Sequence, residues 1–421
     1  KEERMTTNNL QSALELCDNG FNIIRINSNF YPPTPENPAK DFRNFKTPLG
    51  KWQQYQNKRE TREVVKKWYE DRPYLNIGII TNGLLVVDAD TDEGLPSEHK
   101  KIFYSDNGST AVEVGLKMAI QYHANRGTKK HTIIALRNAY HGDTFGAMSA
   151  GGRGIFSTPF ESHLFHVEYI DVPIAGKEME SLNQLKEIIR HNDTAAFIFE
   201  PLLQGAAGMV MYCPEILSEM IHHCKENDIV AIADEVSTGF GRTGKYFATD
   251  YLSHKPDIIC MSKGITGGVM ALGATSTTRQ VYNVFLSDDK SKMFLHGHSY
   301  TGNPLACVVA KASLDVLQQD DTWTAIKRVS DQQHEFVETI SIHPQVEDAR
   351  SLGVVLAVTV KSGSEESYFN YLRDKLYNFF IERKILLRPL GNVIYMMPPY
   401  CITDEELKMV YTAISDLLDE L

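Results

Sequence analysis

The stretch IVAIADEVSTGFGRTGKYFATDYLSHKPDIICMSKGITGG (229–268) holds two short apolar runs, and each stops at charged residues. IVAIADE (229–235) stops at Asp234 and Glu235, and DIICMSK (257–263) stops at Lys263. Continuous apolar runs of this length suit strands buried on both faces, as in a parallel sheet. A third run, AAFIFE (195–200), stops in the same way at Glu200. Open α/β sheets bind ligands in the crevice beyond the carboxyl ends of their strands, so the three charged ends point to one site.

Moving outward, the same grammar continues. KIFYS (101–105) and TIIAL (132–136) read as further strands. Thr110 and Glu113 have capping-box spacing, and Val112, Leu116, Ala119 and Ile120 follow as a helical stripe. Pro214 opens a helix that turns Leu217, Met220, Ile221 and Cys224 inward. Strands alternating with helices predict an α/β fold, with a mainly parallel sheet and helices on both faces. The last hundred residues read as a smaller α+β unit. It contains GVVLAVTV (353–360), ILLRPL (385–390), VIYMM (393–397) and a final helix capped by Thr403 and Glu406.

The bulk properties are those of a globular protein. The chain has 421 residues, 42% hydrophobic and 23% charged, enough for two or three domains. The net charge of −11 offers no general attraction for nucleic acid. Cys17, Cys213, Cys224, Cys260, Cys307 and Cys401 are scattered, with no CxxC pair, which predicts reduced thiols and a cytoplasmic protein. No signal-peptide core and no membrane-length apolar run is present.

A lysine and an aspartate facing one crevice need a shared reason, and pyridoxal phosphate supplies one. It requires a lysine to hold it, an acid at its ring nitrogen, a phosphate cup and cover for its two faces. Lys263 and Asp234 are the candidate lysine and acid. Gly108 and Ser109, before a helix, can receive the phosphate. Tyr140 and Val236 can cover the ring. Taken singly, each residue has a plainer reading: a loop lysine, a helix-capping acid, a simple turn, a core tyrosine. Their joint occurrence in order on the expected elements favours the cofactor.

The segments SDNGSTAVEVGLKMA, AYHGDTFGAMS, EPLLQGAAGM, DEVSTGFGRTGKYFA, PDIICMSKGITGG and HGHSYTGNPLAC together resemble the class III, fold-type I aminotransferases over about residues 95–421. Within that family the resemblance is to the biotin-pathway branch that aminates 8-amino-7-oxononanoate to 7,8-diaminononanoate. It implies pyridoxal 5'-phosphate on Lys263 and a small-molecule keto acid and amino donor as substrates, the donor being S-adenosylmethionine or lysine. It also implies a homodimer with shared active sites, in which Ser299 reaches the neighbouring subunit's cofactor phosphate. Arg388 would bind the keto acid's carboxylate, and Gly297 and Tyr395 would line the substrate site.

Ahead of that region, NIGII and LLVVD flank Asn82-Gly83, a hairpin signal. Asp88 and Asp90 lie two apart on the second strand and so share a face, which suits Mg²⁺ or Mn²⁺. A calcium loop is excluded, because Glu93 stands where its glycine belongs. The plainer reading is a solvated acidic strand end. Residues 8–94 resemble the N-terminal part of bifunctional DNA primase/polymerase domains, through ALELCDNGFNIIRI, FKTPLGKW, VVKKWYEDRPYLNIGIIT and VVDADTDEG. The expected organisation is a chimera: a primase/polymerase-like fragment at 1–94, a cofactor-binding large domain at 95–318 whose leading segment is missing, and a small domain at 319–421. Weakened turnover follows from that expectation. The alternatives are a metal-dependent polymerase fragment and an inactive fusion.

Overall fold

The structure, a computed structural model, describes residues 23–26, 76–79, 99, 101–154, 156–191, 193–362 and 372–421. The chain divides into two compact units, Lys1–Val86 and Val87–Leu421. In the first, β1 (Ile23–Ile26) pairs antiparallel with β2 (Asn76–Ile79), Ile23 opposite Ile79. Both lie in segments expected to be strands. The Asn82-Gly83 turn, its second strand, and Asp88 and Asp90 lie outside the described residues.

The second unit is built on a seven-stranded sheet. Its strands are β3 (Lys101–Ser105), β4 (Thr132–Leu136), β5 (Glu168–Ile170), β6 (Thr194–Phe199), β9 (Val230–Asp234), β10 (Ile258–Met261) and β11 (Gly273–Thr277). Between β6 and β9 in the chain lies a small ladder, β7 (Leu203–Gln204) against β8 (Val210–Met211). The sheet order is β3-β11-β10-β9-β6-β4-β5. The pairs β10–β9, β9–β6, β6–β4 and β4–β5 are parallel. Only β11 runs against its neighbours, β10 and β3. Its sequence, GATST, carries no large apolar residue and gave no strand signal, yet every residue in it is buried.

Helix α1 (Gly108–Asn125) corrects one expectation. Its cap is Asn107, whose side chain accepts from the Thr110 amide at 2.9 Å, while the Thr110 hydroxyl accepts from the Asn107 amide at 3.3 Å. Thr110 is thus the third helical residue, and Glu113 lies a turn further in. Its carboxylate instead accepts from the Gly146 amide at 2.6 Å, at the start of α2 (Phe145–Ala150). Val112, Leu116 and Ala119 are buried as expected, but Ile120 is 39% exposed because Val114 and Met118 share the inward face. Helices α3 (Glu178–His191) and α4 (Pro214–Glu226) pack on each other, and Leu217, Met220, Ile221 and Cys224 are fully buried.

The chain continues through α5 (Arg279–Asn283), α6 (Pro304–Leu317) and α7 (Asp320–Ile340) into a three-stranded antiparallel sheet. That sheet is β12 (Val346–Leu352), β13 (Val355–Val360) and β14 (Val393–Met396). ILLRPL is not a strand; only Leu390 forms a bridge, to Val393. After α8 (Leu372–Glu382), the last helix, α9 (Asp404–Asp419), has the expected capping box between Thr403 and Glu406. No helix among the described residues is long and apolar enough to cross a membrane. Thr403→Ala removes an acceptor for the Glu406 amide, so stability should fall by about 1 kcal/mol. Urea unfolding checks this: a lower midpoint with an unchanged slope is expected.

Candidate active site

Strands β10, β9 and β6 are neighbours and parallel, with Cys260 opposite Asp234 and Phe199 opposite Ala233. They therefore deliver Lys263, Asp234 and Glu200 to one edge of the sheet. A cavity of about 480 Å³ opens there, and Gly108, Ser109, Tyr140, Asp234, Val236 and Lys263 all line it. Six residues predicted from separate segments are thus brought together.

Asp234 is buried at the floor of the cavity. Its Oδ2 lies 2.7 Å from Nδ1 of buried His141, and its Oδ1 accepts from the Val236 amide at 3.1 Å. The adjacent Glu235 turns the other way and accepts from the Thr238 hydroxyl and from the Ala248 and Thr249 amides. Burial pushes its carboxyl up to about 7. Of the two acids read together in the sequence, one faces the cleft and the other anchors the following loop.

Lys263 begins a short 3-10 turn with φ +45, a left-handed conformation that a lysine adopts only under constraint. Its Nζ donates to the Ser237 hydroxyl at 2.6 Å. Solvent reaches the side chain through the open mouth, yet the surrounding protein is dense enough that desolvation lowers the amine below its usual range. Asp234 and Glu200 pull the other way, and Arg242 adds to the lowering.

At the opposite wall α1 begins, and its first amides, Gly108 and Ser109, have no acceptor within the helix. A Cβ on Gly108 would lie 2.8 Å from Val236, so glycine lets the helix end close against that residue. Gly142 has φ +122, and a Cβ there would meet Ser109 Oγ at 2.0 Å. The Tyr140 hydroxyl donates to Asp143 at 2.8 Å, and burial first, then this carboxylate, push it up to about 12. Glu200 clamps the same wall: its two oxygens accept from the Tyr140 amide at 2.9 Å and the Gly205 amide at 3.1 Å. Burial raises its carboxyl to about 7.

These residues fit pyridoxal phosphate. A helix N-terminus offers amides to a phosphate, a buried carboxylate lies at the floor and an amine of lowered basicity faces the cavity. In addition, the buried Nε2 of His141 has no protein partner among the described residues. His141 and Ser237 were not selected as site residues from sequence, and Glu200 was read only as a charged strand end with no assigned role, although all three lie in the quoted motifs. A hydroxyl three residues past a strand-end acid was the available signal for Ser237.

Four expected residues stand apart from this cavity. Gly297, Ser299 and Arg388 are exposed and do not line it. Tyr395 is half-buried in β14 and packs against the cluster of Leu203, Met209, Val355, Ala357 and Val393. Among the described residues no cluster of His, Cys, Asp and Glu could hold a metal ion.

Comparison with known proteins agrees with the geometry. A family model described as aminotransferase class-III matches residues 62–418. That span takes in residues 62–94, which were expected to belong to the primase/polymerase-like fragment. The adenosylmethionine-8-amino-7-oxononanoate aminotransferase of Synechococcus elongatus is 43% identical over 335 residues, 78% of each chain. Its namesake from Helicobacter pylori is 39% identical, over 76% of this chain and 75% of that one. The crystal structure of the Methanocaldococcus jannaschii protein of the same name superposes with a TM-score of 0.72 at 36% identity, covering 77% of this chain and 76% of that one. A PLP-bound amine transaminase from an uncultivated Pseudomonas species gives 0.72 at 29% identity, covering 77% of each chain.

The Glu200 carboxyl titrates near 7 in the fold against an ordinary value of 4.5. The folded chain therefore binds more protons between those values. Glu200's contribution is full below about 4.5 and is lost as pH rises through about 7. The stability of the wild type relative to Glu200→Gln should fall across that window and level off above it. Urea unfolding at stepped pH measures the difference, and a difference constant with pH would contradict the assignment.

Proposed function

The chain belongs to the class-III aminotransferases, and on that premise we propose that it transfers an amino group to 8-amino-7-oxononanoate to form 7,8-diaminononanoate, with pyridoxal 5'-phosphate as cofactor. The observation that carries this reading is the meeting of Lys263, Asp234 and the start of α1 around one cavity. Bound there, the cofactor supplies a ring that accepts the electron pair released when a C–H bond of the donor is broken.

The chain's own residues do the rest. Lys263 Nζ would hold the cofactor covalently at rest and, once free, would take a proton from the donor carbon and return it. Its lowered basicity leaves more of the amine neutral and ready to accept that proton. Asp234, held by His141, would keep a proton on the ring nitrogen. Gly108 and Ser109 would bind the phosphate, and Tyr140 and Val236 would cover the ring's two faces.

In this reading residues 95–318 form the cofactor-binding domain and 319–421 the smaller one. Arg388 would pair with the keto acid's carboxylate, beside Gly297 and Tyr395. The protein would act as a homodimer, with Ser299 reaching the neighbouring cofactor's phosphate. Supporting a dimer, α6 leaves Leu305 68% and Val308 67% exposed, next to Tyr300 at 67%. No observation favours the nucleotide-polymerising or inactive-fusion alternatives.

Adding pyridoxal phosphate to the wild type should produce a visible absorbance band, and Lys263→Ala should abolish it. With 8-amino-7-oxononanoate as acceptor, that variant should lose turnover by about 10²–10⁴-fold. S-adenosylmethionine and lysine, tested separately, identify the donor. A wild type with cofactor bound and neither donor productive would overturn the substrate assignment. Leu305→Glu with Val308→Glu should convert a dimer to a monomer in light scattering after gel filtration.

A further inference from the structure

We propose that Ser237 is a positioning residue for Lys263, its hydroxyl anchoring the free amine in the cavity in both of the amine's charge states. The proposal rests on the aminotransferase reading for its consequence, the delivery of a proton by Nζ. The hydrogen bond itself stands on geometry.

Among the described residues, the contact to Ser237 Oγ at 2.6 Å is the only hydrogen bond that Lys263 Nζ makes. A serine hydroxyl has one donor and two acceptor sites. It accepts from the ammonium and can rotate to donate to the neutral amine, so the contact survives gain and loss of the proton. Without it, a four-carbon stem with free rotation would leave the amine spread over several positions.

Ser237 is itself held firmly. The turn that carries it is tied on one side by the Val236 amide to Asp234, and on the other by Glu235 to the Ala248 and Thr249 amides. One short turn thus fixes both the carboxylate for the ring nitrogen and the hydroxyl for the amine. Such preorganisation is the form in which positioning lowers a barrier.

The charged groups acting on Lys263 come from three elements. Asp234 at the end of β9 and Glu200 beyond β6 favour the ammonium, and Arg242, in the loop after Ser237, disfavours it. His141 is committed to Asp234. Ser237 adds a hydrogen bond that is stronger to the ammonium than to the amine, so it raises the amine's titration against the desolvation that lowers it.

The test uses the full chain without cofactor. Competitive acetylation from about pH 6 to about pH 11, read by mass spectrometry on the peptide bearing Lys263, gives the titration midpoint of that single amine. In Ser237→Ala the midpoint should fall by about one unit, and in Ser237→Thr, which keeps the hydroxyl, it should return to the wild-type position. Circular dichroism on the same samples verifies that each variant is folded. Ser237→Cys, with a weak acceptor of similar size, should shift in the same direction by less. An unchanged midpoint in both Ser237→Ala and Ser237→Cys would overturn the proposal. Failure of the aminotransferase reading would appear separately, as a wild type that develops no visible band with pyridoxal phosphate.

Discussion

The hydrogen-bonded pair of Asp234 and His141, both buried at the carboxyl edge of the parallel sheet, is the constraint on which the site depends. A carboxylate removed from water is costly unless it is paired and hydrogen-bonded. His141 meets one oxygen and the Val236 amide the other. Because His141 follows Tyr140 directly, the partner that stabilises the floor also fixes the start of the wall. Glu200 reinforces this by holding the Tyr140 amide from the neighbouring strand end. Polar contacts at the strand ends thus tie Asp234 and the Tyr140 segment of the cavity lining together.

Burial acts on the titratable groups of this site in opposite directions. It raises Glu200 towards neutrality and lowers Lys263. Both effects favour the uncharged form, as expected where solvent is partly excluded. The result is a cleft whose amine is held below its usual basicity, so more of it stands neutral and able to accept a proton. Glu235 shows that a raised carboxyl does not by itself mark chemistry. It is raised to the same value as Glu200, about 7, yet its three acceptor contacts only secure the loop after β9.

Much of the architecture was readable along the chain. The runs that became β4, β6, β9 and β10 were apolar throughout because parallel strands are covered on both faces. The capping box at Thr403 and Glu406 was legible because its contacts are local. Strand β11 was not legible, since GATST has no apolar pattern and is buried only by its neighbours. The start of α1 was misplaced because Asn107 and Thr110 offer the same spacing as Thr110 and Glu113. ILLRPL has strand-like composition but finds only the Leu390–Val393 bridge.

The sequence by itself determined the inventory of the site: a lysine, an aspartate and a glutamate each ending an apolar run, a glycine-serine turn before a helix, and a tyrosine in AYHGDT. These signals lie in neighbouring residues, where strand and cap preferences are written. Tertiary structure alone decided that Glu235 turns away to anchor the following loop, that His141 supports Asp234, and that Ser237 meets an amine 26 positions away in the chain. The reason is that side-chain direction, burial and the titration shifts they cause arise from groups distant in sequence. None of those exists until the sheet order β10-β9-β6 sets the three strand ends side by side.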